Sequence, residues 1–230
     1  MGRTGKSSKP AKASFSDPDV VNDPQEKPLD SKIEIHAKKV YTGGTKDAGH
    51  SVVLDQEGYL WFAGCDRWQQ LGLGASMNGA SGYTWKALWQ ESFQRNSHLM
   101  DLLKSSNTSI DDKKLVRDVA VGGDHTLVLS SNQQDVISFG KGAEGQLGIV
   151  TKPFVNSPSL AKELSVKSNE KKISAVCAYR HCSFTLDEDG KVYKRSGKCR
   201  LNKDDLLAAI QHCRDHAEND GLLKGKDSLS

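Results

Sequence analysis

Two stretches of the chain show the same alternation of apolar and polar residues in the same order. One runs from residue 49 to 74 and the other from 123 to 148. Each contains two short runs in which apolar and polar residues largely alternate, and a polar turn separates the runs. This period of two is typical of β-strands, whereas a helix would space apolar residues about 3.6 apart. The pattern therefore predicts β-hairpins.

The turns between these runs contain glycine where a hairpin needs it. Gly58 closes a polar turn in the first stretch, and Gly190 closes a similar turn further along the chain. Glycine adopts the positive φ of tight turns without steric cost. A third, weaker copy of the pattern surrounds the later turn. In this copy Cys182 stands where the first two copies have His50 and His125.

One unit recurs with its strand and turn segments in the same order. This predicts an all-β repeat protein, in which each unit packs on its neighbour. We expect a disordered polar tail, a repeat region with an insert, and a helical end. The predicted boundaries are 1–30 for the tail, 31–200 for the repeat region with copies at about 33–74, 115–150 and 171–197, 75–114 for the insert, and 201–230 for the C-terminal helix and tail.

The second copy carries the most distinctive motifs. It has Gly-Asp-His-Thr at 123–126, Phe-Gly at 139–140 and Gly-Gln-Leu-Gly at 145–148. With the hairpin between them, these motifs resemble the repeat of the regulator of chromosome condensation family, over about residues 33–74 and 115–197. That family folds as a seven-bladed β-propeller, so the resemblance implies a partial β-propeller of about three blades. The first copy departs from the family pattern at Gln69, where the family has glycine.

The matched positions of the copies are predicted to form the framework of the blades. Both histidines at matched positions could be metal ligands or structural hydrogen-bonding groups. Repetition favours the structural role, because each blade solves the same packing problem and a neutral imidazole can donate one hydrogen bond and accept another. The predicted framework residues are Gly49, His50, Gly64, Leu71, Gly72, Gly123, His125, Gly140, Gly145, Gln146, Leu147 and Gly148.

Two other segments have apolar residues at helical spacing. The insert places Trp85, Trp89 and Phe93 at intervals of four, and the end of the chain places apolar residues on one helical face between 202 and 220, before Gly221. The insert aromatics either cover the exposed flank of the first blade or anchor another protein, since Trp is enriched at binding hot spots. We expect both predicted helices to cover the open ends of a three-bladed arc.

Composition narrows the functional classes. The 230 residues include 32 basic and 29 acidic side chains, a net charge of +3, which does not by itself favour nucleic acid as a partner. Nucleic acid could contact the chain only through the basic start, with Arg3, Lys6, Lys9 and Lys12. No apolar run is long enough to span a membrane, and no secretion signal is seen near the start. Five cysteines without a Cys-x-x-Cys pair predict reduced thiols and an intracellular location, cytoplasm or nucleus.

Few residues have the types and spacing expected of a metal, catalytic or phosphate-binding site. Cys199, His212 and His216 have the spacing of half a zinc finger, but the first cysteine of such a motif is missing, so we expect no metal site. No nucleophile, base and acid are arranged as in a catalytic motif, and no glycine-rich phosphate loop follows a strand. We therefore predict neither catalytic residues nor a cofactor, and we do not expect an enzyme.

The leading hypothesis is a non-catalytic, protein-binding scaffold whose contacts include Trp85, Trp89 and Phe93. The resemblance adds a small GTPase as a candidate partner. Two alternatives remain open at this stage. One is a structural subunit whose partial propeller is completed by neighbours in a larger assembly. The other is guanine-nucleotide exchange on a small GTPase, which fold alone does not imply.

Overall fold

Three antiparallel β-sheets form the body of the protein in its computed structural model. The model describes residues 34–45, 48–74, 89–106, 115–149, 153–166, 171–194, 201–219 and 221–222, and the predicted tail at 1–30 lies outside them. The prediction of an all-β fold with repeated sheets is confirmed by these elements. They follow the order β1 (Ala37–Thr45), β2 (Ala48–Asp55), β3 (Leu60–Cys65), β4 (Trp89–Arg95), α1 (Ser97–Ser106), β5 (Val116–Val121), β6 (His125–Ser130), β7 (Val136–Lys141), β8 (Phe154–Leu160), β9 (Ile173–Tyr179), β10 (Cys182–Asp187), β11 (Val192–Lys194) and α2 (Lys203–Asn219).

Each sheet is built from strands that are consecutive in the chain. Blade one has the order β1-β2-β3-β4, blade two β5-β6-β7-β8, and blade three β9-β10-β11 among its described strands. The registers of blades one and two match, because His50 pairs with Gly64 just as His125 pairs with Gly140. The two blades are therefore the same structural unit, as the repeated sequence predicts.

The cores lie between the blades. Alternate residues of each strand point to opposite faces of its sheet, so one face of blade two packs on blade one and the other on blade three. The first core contains Val52, Leu54, Leu60, Phe62 and Leu71 of blade one with Val119, Val128, Ile137 and Phe139 of blade two. The second contains Ala120, Leu127, Leu129 and Val136 of blade two with Ile173 and Val176 of blade three.

A buried aspartate closes the hairpin of blades one and three. Asp55 accepts hydrogen bonds from the Tyr59 backbone N–H and from Trp61 Nε1, both at 2.7 Å. Asp187 likewise accepts from the N–H four residues on, at 2.9 Å, and from the Tyr193 hydroxyl six residues on, at 3.0 Å. The intervening glycines have φ of 89° at Gly58 and 78° at Gly190, which are the positive values expected from the sequence.

The insert differs from its prediction. Trp89 and Phe93 lie on strand β4, which pairs with β3 from Cys65↔Trp89 to Trp61↔Arg95, so the predicted helix over these residues is wrong. Trp85 lies outside the described residues. The insert does contain a helix, but it is α1, further along the chain. The corresponding outer strand of blade two, β8, also lay outside the predicted copies.

Helix α1 is held between blades one and two and does not cover the exposed flank of blade one. The Leu99 N–H donates to Asn96 Oδ1 at 2.9 Å, which caps the helix, and Asn96 Nδ2 donates to the Gly72 carbonyl at 2.8 Å. Leu99 and Leu103 are fully buried in the first core. The helix thus completes the core that blades one and two share.

Helix α2 covers the far side of blade three, as expected. Asn202 caps its start by accepting the Asp205 N–H at 2.7 Å, and Gly221 follows its end with φ of 62°. Its small buried residues Ala209 and Cys213 pack on a core of blade three that includes Phe184. A helix with small residues on one face can approach a sheet closely, so α2 seals this flank.

The cysteines only partly fit the expectation of reduced thiols. Cys65, Cys177 and Cys213 are free and buried. Cys182 is disulfide-bonded, so the expectation is wrong for this residue. The intracellular location, which rested on reduced thiols, stays a prediction.

Candidate functional site

A chain of hydrogen bonds links blade one to blade two through residues of the repeat motifs. Thr126 Oγ1 donates to the Gln70 carbonyl oxygen at 2.8 Å, so its only proton is used there. His50 Nε2 lies 2.8 Å from the same hydroxyl oxygen. The imidazole must therefore be the donor, with its proton on Nε2. We call this arrangement of histidine, hydroxyl and carbonyl an inter-blade relay.

The same relay links blade two to blade three. Ser183 Oγ donates to the Gln146 carbonyl oxygen at 2.6 Å, and His125 Nε2 lies 2.9 Å from that hydroxyl. In both relays the histidine and the carbonyl belong to one blade, and the hydroxyl comes from the next. The repeated histidines thus make hydrogen bonds between strands of different blades.

Burial keeps both imidazoles neutral. The pKa of His50 is lowered to about 4 because the ring is desolvated, and the pKa of His125 is lowered to about 3, chiefly by burial and further by His50 and His181. Neither Nδ1 atom has a hydrogen-bond partner among the described residues, and both are inaccessible to solvent. A base that no substrate can reach does no acid–base chemistry, so this geometry supports a structural role.

The Gln-Leu-Gly segments shape the turns that carry the relay carbonyls. Gln70 Oε1 accepts the Trp68 N–H and Gln146 Oε1 accepts the Glu144 N–H, each at 2.8 Å. The side chain thus holds its own turn while the backbone carbonyl faces the next blade. The leucines that follow, Leu71 and Leu147, are buried in the cores, and Gly72 and Gly148 have φ of 62° and 59°.

Two framework glycines are required by close backbone approach. A Cβ on Gly64 would lie 2.6 Å from the Gly49 carbonyl oxygen, and one on Gly140 would lie 2.6 Å from that of Asp124. Gly123 donates its N–H to the Arg180 carbonyl in blade three at 2.8 Å, which adds another bond between blades.

One matched turn position differs between the copies. Gly145 has φ of 80°, and its counterpart in blade one is Gln69, with φ of 64°. A side chain at positive φ is strained. The departure from the family pattern therefore has a conformational cost.

The relay ends at blade three. Cys182 opens β10 at the position of the two histidines, and the described part of blade three has no Gln-Leu-Gly turn. Its sulfur is in a disulfide and therefore carries no N–H or S–H donor. No further blade could receive a hydrogen bond here of the kind that His50 and His125 make, and α2 covers the flank instead.

Aromatic residues are exposed at matched positions on the outer strands. Trp89 pairs with Cys65 in blade one, and Phe154 pairs with Lys141 at the same register position in blade two. Their side chains are 44% and 47% exposed, and Leu160 at the other end of β8 is 41% exposed. We call Trp89, Phe154 and Leu160 the outer rim. The sequence indicated Trp89 as a contact residue, but the match with Phe154 appears only in the strand registers.

Charged and aromatic groups lie next to the outer rim and connect the blades. Lys141 Nζ lies 5.0 Å from the centre of the Trp68 ring and 3.8 Å from Asp124 Oδ2. His181 Nδ1 of blade three is 4.0 Å from the same carboxylate oxygen. Sequence reasoning missed this cluster, because its members come from three different blades.

The remaining candidates of the sequence analysis do not form a site. Phe93 is half-buried on β4. His212 is exposed, whereas His216 Nε2 lies 3.0 Å from both carboxylate oxygens of the fully buried Asp118. Within the described ranges, no three His, Cys, Asp or Glu side chains are placed to hold a metal ion. No described helix has the length and apolar character needed to cross a membrane.

Comparisons with known proteins show which proteins this chain resembles in sequence. No family model matches the chain. The protein RCC2 homolog of Danio rerio is 29% identical over 152 residues, which cover 64% of this chain and 29% of that protein. The chain therefore spans less than a third of this relative's length.

Solved structures overlap with a larger share of the chain. Yeast RCC1 (Prp20), in a complex with Kap60, is 20% identical and covers 69% of this chain and 32% of its own, with a TM-score of 0.48. Human WBSCR16 is 25% identical and covers 74% of this chain and 36% of its own, with a TM-score of 0.49. The motifs of the second copy and their recurrence in matched sheets agree with the similarity to the RCC2 homolog, and the repeats of this chain are similar to those of the regulator of chromosome condensation family.

Proposed function

We propose that the chain is a non-catalytic scaffold that binds another protein through the outer rim of blades one and two. The observation that carries the proposal is the matched exposure of Trp89 and Phe154, at 44% and 47%, on the outer strands of adjacent blades. A single exposed aromatic residue needs no explanation, but a repeated one on a rigid frame forms a spaced pair of anchors. Aromatic side chains supply much of the binding free energy at protein interfaces.

The frame that presents these anchors supports the same proposal. Each outer strand pairs with β3 or β7, and the turns that follow β3 and β7 carry the relay carbonyls of Gln70 and Gln146, which are hydrogen-bonded to the next blade. An anchor on a rigid strand loses little conformational freedom on binding. Lys141 pairs with Phe154 across the strands and places a charged side chain next to this anchor, as at the polar border of protein interfaces.

The buried histidines argue against a catalytic function. Both are neutral, and both are committed to bonds between blades. Guanine-nucleotide exchange on a small GTPase, which the resemblance implies as an alternative, would require loop residues that the framework motifs do not identify. Stimulated release of a labelled nucleotide from a panel of small GTPases would replace the scaffold proposal with this alternative.

Site-specific photo-crosslinking tests the proposal. A benzophenone amino acid at position 89 or 154 is expected to form adducts with the same partner in cells of the source organism. Replacing Trp89 and Phe154 together by Ser should lower co-purification of that partner at least tenfold, since each anchor contributes on the order of 1–2 kcal/mol. Leu207, 54% exposed on α2, provides the control for both the crosslinker and the Ser substitution.

Two results would contradict the proposal. One is a partner that co-purifies equally with the Trp89 and Phe154 double variant. The other is a set of adducts from position 207 that matches those from positions 89 and 154, because such adducts would reflect exposure alone.

A further inference from the structure

Three cysteines lie in one core between blade three and α2. Cys177 on β9 pairs with Phe184 on β10, so the two side chains share a face of the sheet. Cys182 lies two residues before Phe184 on the same strand and therefore on that face too. Cys213 of α2 packs on this face in the same core. The three differ in state, because Cys182 is in a disulfide whereas Cys177 and Cys213 are free.

The two free thiols of this core are in direct contact. The Cys213 side chain makes a hydrogen bond with that of Cys177. Cys213 is the middle residue of the buried stripe of α2, between Ala209 and Ala217. Because both neighbours are alanines, the helix approaches β9 closely at this point. A single buried cysteine serves as a small apolar residue, but two thiols in contact from separate elements can be joined by one covalent bond.

A cavity of about 390 Å³ gives small molecules a route to this pair. It lies between α2 and the first strands of the three blades, and Cys177 is one of its lining residues. His212 and Asp215 of α2 also line it, and both are exposed, so the cavity opens to solvent. Cys213 itself is buried in the core. A small oxidant that enters the cavity therefore meets the sulfur of Cys177.

The surroundings of Cys213 give the two thiols different roles. Its hydrogen bond with Cys177, and then burial and the negative charges of Cys177 and Asp118, raise the pKa of the Cys213 thiol. The thiolate is the nucleophilic form of cysteine, so Cys213 does not start a reaction. Once Cys177 is oxidised to a neutral group, its charge no longer opposes ionisation of Cys213. Cys213 is therefore placed to react second.

We propose that Cys177 and Cys213 form a peroxide-sensitive thiol pair, and that its oxidation to a disulfide fastens α2 to blade three. The Cys177 thiolate attacks one oxygen of hydrogen peroxide, the O–O bond breaks, and Cys177 becomes a sulfenic acid. The hydroxide that leaves takes up the proton that Cys177 released and becomes water. The Cys213 sulfur then attacks the sulfenic sulfur, and the hydroxyl group leaves with the Cys213 proton as a second water. Two thiols are oxidised to one disulfide, and one peroxide is reduced to two waters.

The disulfide would hold α2 at its middle, whereas the ion pairs of the helix lie at its ends. Arg180 Nη1 lies 3.1 Å from Asp205 Oδ2 in the first turn, and His216 Nε2 lies 3.0 Å from Asp118 Oδ2 in the last turn. The first pair is partly exposed and contributes little to stability. A covalent bond between the centre of α2 and β9 would persist when either end opens. This inference concerns the flank of blade three and does not rest on the function proposed for the outer rim.

The test treats the full chain with hydrogen peroxide, blocks the remaining thiols with iodoacetamide and maps disulfides by mass spectrometry of unreduced digests. We expect a linked pair of peptides that contain Cys177 and Cys213, which dithiothreitol separates. In Cys213→Ser the sulfenic acid should persist and be labelled by dimedone at Cys177, whereas in Cys177→Ser the Cys213 thiol should stay open to iodoacetamide. Oxidation of the unsubstituted chain should slow deuterium exchange of the α2 amides at least roughly tenfold.

Cys65 provides the matched control, because it is also free and buried but lies in blade one. It should stay reduced under the same treatment, and Cys65→Ser should change neither the yield of the disulfide nor the exchange of α2. Four results would overturn the proposal. They are Cys177 and Cys213 that both remain thiols, a new disulfide that includes Cys182 or Cys65, dimedone labelling of Cys213 in the Cys177→Ser variant, and α2 amides that exchange equally fast before and after oxidation.

Discussion

Thr126→Val should test the inter-blade relay most directly. Valine has nearly the shape of threonine, so the substitution removes the hydroxyl and leaves the packing between the blades almost unchanged. His50 Nε2 then loses its acceptor, and the Gln70 carbonyl loses its donor. Both groups are inside the protein, since His50 is 2% exposed and Gln70 is fully buried, so water cannot replace the lost bonds.

The magnitude follows from two buried groups left without partners. Each costs about 1–3 kcal/mol, and the buried methyl that valine adds returns somewhat less than about 1 kcal/mol. We expect the free energy of unfolding to fall by roughly 2–4 kcal/mol. For a unit of this size that corresponds to a decrease in Tm of roughly 4–16 °C.

Chemical denaturation followed by tryptophan fluorescence measures this loss, and a double-mutant cycle assigns it to the relay. His50→Leu removes the donor, so adding it to Thr126→Val should cost less than the sum of the two single changes. Thr42→Val, on an exposed position of β1, should change stability by less than about 0.5 kcal/mol. A Thr126→Val protein as stable as the wild type, or strictly additive effects of the two changes, would refute the relay as a source of stability.

Three further predictions concern the same framework. Burial lowers the pKa of His50 to about 4 and that of His125 to about 3. When the pH falls below 6.5, the ordinary pKa of histidine, these two side chains therefore take up protons in the unfolded chain but not in the folded one. The free energy of unfolding is therefore unaffected by these histidines above pH 6.5, and it falls by about 1.4 kcal/mol per pH unit for each histidine as the pH drops toward 4. The double variant His50→Gln with His125→Gln should lose this pH dependence in urea titrations from pH 7.5 to 4.5. Gln69→Gly should raise the denaturation midpoint by relieving the strain of a side chain at φ of 64°, a gain of up to about 1 kcal/mol, and a lower midpoint would contradict this account. Gly140→Val should destabilise by roughly 3–5 kcal/mol because its Cβ would lie 2.6 Å from a backbone oxygen, whereas Gly190→Ala, with no atom within 4 Å, should lose only about 1 kcal/mol in the same thermal-unfolding assay.

The inner three strands of the blades could be predicted from the sequence, but the outer strands could not. The two strands within residues 125–140 could be assigned because they are rich in β-branched and apolar residues, as expected for strands whose two faces are both buried, and because a polar turn separates them. In the insert, Trp89 and Phe93 lie four residues apart, a spacing that fits one face of a helix but also fits one face of a strand, where alternate residues point the same way. Pro158 within β8 also opposes a strand assignment, since proline is confined to sheet edges.

The relays were only partly visible in the sequence. Recurrence marked the histidines and the Gln-Leu-Gly turns, because the first two copies use them in the same way. Their hydrogen-bond partner is in a different copy, 76 residues from His50 and 58 residues from His125. Spacing within one copy carries no information on a contact between two copies, so the role of Thr126 and Ser183 required the structure.

The position of blade two has a consequence for how the protein opens. Thr126 ties this blade to the one before it and His125 ties it to the one after, so each outer blade loses one link on local unfolding while the central blade must lose both. In an array with nearest-neighbour coupling, opening then begins at the ends and reaches the centre last. Backbone amides of β6 and β7 should therefore exchange with solvent deuterium only through unfolding of the whole array.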